Sequence, residues 1–77
     1  MKILKKEFEQ KIRLEGKKEN LDFIDVLEHE HMILERQGLL KGYFNQDGDI
    51  EFDIPNWNNL IFALKAFAIS YIPPKDE

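Results

Sequence analysis

Apolar residues recur along this chain in different rhythms, and each rhythm predicts a different element. Between residues 21 and 37, Phe23, Ile24, Val26, Leu27, Ile33 and Leu34 share one broad arc at about 100° per residue. Asp25, Glu28, His29, Glu35 and Arg36 lie opposite, so the spacing predicts an amphipathic helix over about 21–37. Asn20 reads as its N-cap and Gly38 as the residue just past its end. Further on the period becomes two: Ile50, Phe52 and Ile54 alternate with Asp49, Glu51 and Asp53, after the turn pair Asp47-Gly48. A three-residue loop Gln46-Asp47-Gly48, with Gly48 left-handed, pairs Asn45 with Asp49, Phe44 with Ile50, Gly42 with Phe52 and Leu40 with Ile54. That register gathers the apolar side chains of both strands on one face, which a two-residue loop does not do. Strands are therefore expected over about 39–45 and 49–54.

Pro55 ends the second strand, and Asn56 can cap a last helix over about 57–72 that Pro73-Pro74 terminates. Trp57, Leu60, Leu64 and Tyr71 lie on one side of it and Phe62, Ala66 and Ile69 on another, with Lys65 its only charge. A helix apolar nearly all round is covered on more than one side. In so short a chain a natural second cover is another molecule, so Phe62, Ala66 and Ile69 are the expected oligomer interface of a homodimer. Residues 3–15 fit two templates. Leu4, Phe8, Ile12 and Leu14 occupy even positions, which favours a half-buried strand; Leu4, Phe8 and Ile12 also stand at helical spacing among good helix formers. With the strand template the fold is α+β, a single β-α-β-β-α domain over residues 1–77 whose antiparallel sheet packs on two helices.

Composition narrows the function classes. With 77 residues, 43% hydrophobic and no cysteine, the chain has one core and neither disulfides nor thiolate chemistry. The charged opening Met1-Lys2-Ile3-Leu4-Lys5-Lys6-Glu7 is unlike a signal peptide, and the longest apolar stretch, Leu60 to Ile72, is 13 residues interrupted by Lys65. The expectation is a cytoplasmic protein that does not engage a membrane. Charge is segregated: residues 1–18 hold seven Lys/Arg and three Glu, whereas residues 19–53 hold ten Asp/Glu against Arg36 and Lys41. That middle region repels a phosphate backbone, which argues against nucleic acid and for a basic protein partner.

Few residues look chemical. Glu28, His31 and Glu35 share a helix flank at a spacing used by metal-binding helices, but a zinc or di-iron centre needs further ligands that the last helix lacks. His29 and His31 point roughly 200° apart on a helix and cannot chelate one ion together. Glu30 falls inside the apolar arc, where a partner's cation could satisfy it; a position at the edge of the core is the plainer reading. Asp49, Glu51 and Asp53 form an acidic row open to a basic partner or to neutralisation by Lys11 and Arg13 on a neighbouring strand. Ser70, the only serine, has no base beside it in the pattern, and no Gly-rich phosphate loop occurs.

The stretch Leu34-Glu35-Arg36-Gln37-Gly38-Leu39-Leu40-Lys41-Gly42-Tyr43-Phe44, followed by Asp47-Gly48-Asp49-Ile50, resembles the recognition-helix end and wing of small bacterial and phage winged-helix proteins. The likeness spans residues 34–54. It implies an α-α-β-β-α order in which residues 3–15 are a first helix, residues 21–37 contain the recognition helix and the last helix mediates dimerisation, in a DNA-binding transcriptional regulator. The chain departs from that pattern by carrying Asp25, Glu28 and Glu35 where a DNA-reading helix carries Lys or Arg. The sequence therefore supports a small acidic protein-binding module, a regulator or inhibitor without enzymatic activity or cofactor, with Asp49, Glu51, Asp53 and Glu30 as partner contacts. The DNA-binding regulator is the alternative.

Overall fold

A computed structural model describes residues 1–71. The elements run β1 (Lys2–Leu4), α1 (Lys5–Glu19), α2 (Phe23–Arg36), β2 (Lys41–Phe44), β3 (Ile50–Asp53) and α3 (Trp57–Ser70). The α+β class stands, with one more helix and a shorter first strand than the alternation of residues 3–15 predicts. Only Lys2–Leu4 is strand; from Lys5 onward the chain is helical. Helical spacing prevails because Phe8, Ile12 and Gly16, at i, i+4 and i+8, form the buried line, while Leu4 and Leu14 of the alternating set remain exposed.

The segment Gly16-Lys17-Lys18-Glu19-Asn20 reads as a turn in the sequence, but Gly16 to Glu19 form the last turn of α1 and Asn20 is its C-cap. Asn20 is left-handed (φ 55°), and the Leu21 amide donates to the Gly16 carbonyl at 2.9 Å, a Schellman closure. The N-cap of α2 is accordingly Asp22 instead of Asn20, its carboxylate accepting from the amides of Ile24 and Asp25 at 3.1 and 3.2 Å. At the far end Gly38 (φ 73°) takes the expected left-handed position, and the Leu39 amide reaches the Leu34 carbonyl at 3.0 Å.

The hairpin has the expected register: Phe44 faces Ile50 and Gly42 faces Phe52. Gly48 (φ 81°) supplies the left-handed residue, and the Asn45 carboxamide ties the loop by accepting from the amides of Asp47 and Asp49 at 3.0 and 3.1 Å. β1 pairs antiparallel with β3, Ile3 opposite Phe52, giving the sheet order β1-β3-β2. The Asn56 side chain caps α3 by accepting from the Asn59 amide at 3.0 Å; the expected stop at Pro73-Pro74 lies outside the described residues.

All three helices contribute to one core. Phe8 of α1 is fully buried, its ring centroid 4.8 Å from Phe52 on β3 and 6.3 Å, edge-on, from Trp57 at the start of α3. α2 packs between α1 and α3, contributing Phe23, Val26, Leu27 and Leu34, and α3 contributes Leu60 and Leu64.

Gly16 sets how closely the first two helices join, since a Cβ there would stand 2.5 Å from the Leu21 carbonyl oxygen and 3.4 Å from the Phe23 amide nitrogen. In an open helix Gly→Ala stabilises by about 1 kcal/mol. Here overpacking against rigid backbone, about 1–3 kcal/mol, opposes that gain, and the 2.5 Å approach to a backbone oxygen puts the cost above the low end. Gly16→Ala is expected to lower stability by up to about 2 kcal/mol, read as a lower urea midpoint; a higher midpoint would contradict the close approach.

Candidate functional site

The surface offers three places to judge: the outer face of the sheet, the outer face of α3, and a groove between α2 and the hairpin.

The acidic row lies on the sheet face away from the core, but its neighbours differ from the expected ones. Lys11 and Arg13 are on α1, where Lys11 instead rests over the Trp57 ring at 5.5 Å. Lys2 of β1 and Lys41 of β2 flank Asp53 from both sides, and Tyr43 stands opposite Glu51. Lys2 Nζ lies 5.5 Å from the centre of the Tyr43 ring. The Tyr43 hydroxyl and its charge, followed by the carboxylates of Asp53 and Glu51, hold the Lys2 ammonium above its usual pKa; the Glu51 carboxylate beside it and partial desolvation push Tyr43 up as well. The Met1 ammonium lies 3.5 Å from the Asp53 carboxylate, and Tyr43 and Lys2 stand beside Glu51, leaving Asp49 at the exposed hairpin end.

On α3 the side away from the core exposes Phe62 (74%) and Ile69 (75%), with Ala66 exposed between them. Lys65, the helix's only charge, is drawn back to Glu19 of α1 at 3.1 Å, so this stripe is uncharged. Half-buried Trp57, Ile61 and Phe67 turn toward the core instead.

The α2 candidates divide. His31 Nε2 lies 3.3 Å from Glu35 Oε1, and the imidazole packs on Phe52 with centroids 5.7 Å apart. No three His, Asp or Glu side chains among the described residues converge on a point suited to a metal ion, so Glu28, His31 and Glu35 do not form a set. His29 turns the other way, to Tyr71, whose hydroxyl is 2.8 Å from Nδ1. Glu30 is only half-buried, which matches the edge-of-core reading. Ile33, placed on the apolar arc by its spacing, is exposed, as is Met32.

The groove was not legible as a site in the sequence. It has a volume of about 500 Å³ and runs between Glu28, His31 and Met32 of α2 and Gly42, Tyr43 and Phe44 of β2, with Lys5 and Glu9 of α1 at one end. Leu27 and Phe52 form its floor, and Met32 (64% exposed) and Phe44 (73%) stand at the rim. Gly42 keeps it open: a Cβ there would press on the Phe52 ring at 3.0 Å and approach His31 Nε2 at 3.5 Å. The one available signal was the pairing of Gly42 with Phe52 in the hairpin, a small residue opposite a large one on the core face.

Titration adds a test of the α2–α3 contact. Partial burial, and after it the carboxylates of Asp25, Asp22, Glu28 and Glu30, raise Tyr71 above its usual value near 10. A pKa raised in the folded state gives stability that is complete below the unfolded pKa and is lost as pH rises through the folded one. Lys2 and Tyr43 are shifted in the same direction. The melting temperature is therefore expected to fall as pH rises above about 10, and Tyr71→Phe is expected to flatten that fall. Thermal unfolding by circular dichroism between about pH 9 and 11.5 checks both.

No protein-family model, curated protein or solved structure matches the chain.

Proposed function

We propose that this chain is a non-enzymatic protein-binding module, a regulator or inhibitor that acts by contact, built on a scaffold of winged-helix type and paired with a second copy through α3. The order of elements supports the scaffold. α1, the three-residue turn Asn20-Leu21-Asp22 and α2 succeed one another as a helix-turn-helix unit does, and the β2–β3 hairpin follows in the place of a wing. β1 completes the sheet on the far side of β3.

The observation that carries the protein-binding reading is the chemistry of the surface where such a scaffold meets DNA. A second helix entering the major groove is surrounded by phosphates and works with Lys and Arg. The groove-side and outer flanks of α2 present Glu28, Met32, Glu35 and half-buried Asp25, with Arg36 as the only Lys or Arg on that helix. The hairpin beside it presents Phe44 and Tyr43. Apolar side chains rimmed by carboxylates suit a protein surface and repel a polyanion. Catalysis gains no support from Ser70, whose hydroxyl donates to the carbonyls of Phe67 and Ala66 at 3.2 and 3.3 Å.

The dimer contact rests on Phe62, Ala66 and Ile69, spaced i, i+4, i+7 as in a helix–helix seam, with the small Ala66 at the middle. Two copies of net charge −4 meet there without opposing like charges. Light scattering after size exclusion is expected to give a dimer mass for the wild type and a monomer mass for Ile69→Asp. A wild-type monomer at every concentration would remove the pairing.

The DNA-binding reading is the second one, favoured by the same order of elements and by Lys17 and Lys18 at the exposed end of α1. Fluorescence anisotropy with a random-sequence duplex at about 50 mM salt decides between them. No binding is expected. Salt-dependent binding that disappears on replacing Lys17 and Lys18 with Ala would overturn the protein-binding reading in favour of DNA.

A further inference from the structure

β2 is an edge strand, and all four of its residues are exposed. The hairpin fixes which of its main-chain groups are free. The Asn45 amide donates to the Asp49 carbonyl at 2.8 Å, so Asn45 turns toward β3. Antiparallel pairing alternates, so Tyr43 and Lys41 turn the same way, while the N–H and C=O groups of Gly42 and Phe44 point out of the sheet. Such an edge is a template for another strand unless charge, proline or a covering element blocks it. The two residues with outward-pointing groups are uncharged.

This edge opens onto the groove, because Gly42, Tyr43 and Phe44 are its β2 wall. In a strand, side chains alternate between faces. A strand added to β2 would send every second side chain toward the core side, where the groove lies and where Gly42 leaves space beside Phe52 and His31. The charges at the rim are also informative. Lys5 lies 3.9 Å from Glu9, and His31 lies 3.3 Å from Glu35. Glu28 has no ion-pair partner among the described residues, so the groove keeps one uncompensated carboxylate.

We infer that β2 and this groove dock an extended segment of a partner protein as a fourth strand, with an apolar side chain filling the groove beside Gly42 and a neighbouring Lys or Arg meeting Glu28. Strand addition of this kind takes affinity from main-chain hydrogen bonds and specificity from pockets for alternate side chains. The inference rests on the protein-binding reading and gives that partner a conformation and a chemistry. A second copy fits the site less well, since it brings a chain of net charge −4 to a groove whose unpaired charge is also negative.

The probe is a randomised ten-residue peptide library displayed on phage and selected on the full chain. The strongest binder is then synthesised unmodified, and with N-methyl groups on one alternate set of amides or on the other. Enriched sequences are expected to alternate apolar and polar positions and to carry Lys or Arg. Binding should shift the Gly42 and Phe44 amide signals in ¹⁵N spectra. One methylated set should weaken binding by about tenfold or more, as the loss of two hydrogen bonds does, and the other by less than about twofold. Glu28→Lys, a change at an exposed position, should weaken binding by about fivefold, and Phe62→Ser should leave it unchanged. No enrichment, equal tolerance of both methylated sets, or perturbation confined to α3 would each overturn strand addition at β2, as would concentration-dependent shifts of residues 41–44 without peptide, which would mean that copies pair through this edge. Peptides that dock at α3 defeat this inference alone and leave the protein-binding reading standing. Duplex DNA shifting the same signals at low salt defeats both.

Discussion

The ring of Phe52, on the central strand, is where the layers of this small domain meet. Phe8 packs on it from α1 at 4.8 Å and His31 leans on it from α2 at 5.7 Å, while Gly42 on the adjacent strand has no side chain to displace it. A core this small is packed to near-crystalline density and has few spare contacts, so one ring shared by two helices and two strands couples their positions. The tilt of 55° between Phe8 and Phe52 is in the range aromatic pairs favour over flat stacking. The Phe52 ring, with Leu27, also forms the floor of the groove.

Electrostatics arrange themselves around that core more locally than the totals imply. Ten acidic residues over residues 19–53 resemble one large negative surface in the sequence. Folding distributes them. Asp53 meets the Met1 ammonium at 3.5 Å, Glu19 holds Lys65, Glu35 faces His31, and Asp22 caps α2. Surface pairs of this kind add little stability each, but they leave fewer charges unanswered on the surface. What remains concentrated is the acidic flank of α2.

Much of this was legible because the code involved is local. The register of the hairpin follows from Asp47-Gly48 and the need to keep Phe44, Ile50 and Phe52 on one face, and the ends of α2 and α3 follow from Gly38 and Asn56. α1 was harder, since Leu4, Phe8, Ile12 and Leu14 satisfy alternation and only three of them satisfy the helix. The deciding residue was Gly16, whose burial against Phe23 of α2 is a tertiary fact; read alone it resembles a turn. Moving Asn20 into α1's closure transferred the cap of α2 to Asp22. The Phe62 and Ile69 stripe stood out because it is a second apolar side on one helix, and it is exposed among the described residues, whereas the groove did not, because it joins residues from α1, α2 and the hairpin that no local pattern connects.

The pairing of Lys2–Leu4 with Glu51–Asp53 also bears on how the molecule assembles as it is made. A hairpin between β2 and β3 closes a short loop and can form as soon as its own residues have emerged. β1 waits for a partner about fifty residues downstream, and Phe8 for Phe52 and then Trp57, so α2 can cover only part of the apolar face of α1 before β3 exists. These long-range closures all require β3. On a ribosome, the segments before β3 would exist as local pieces, and the core would close only once Phe52 and Trp57 had emerged.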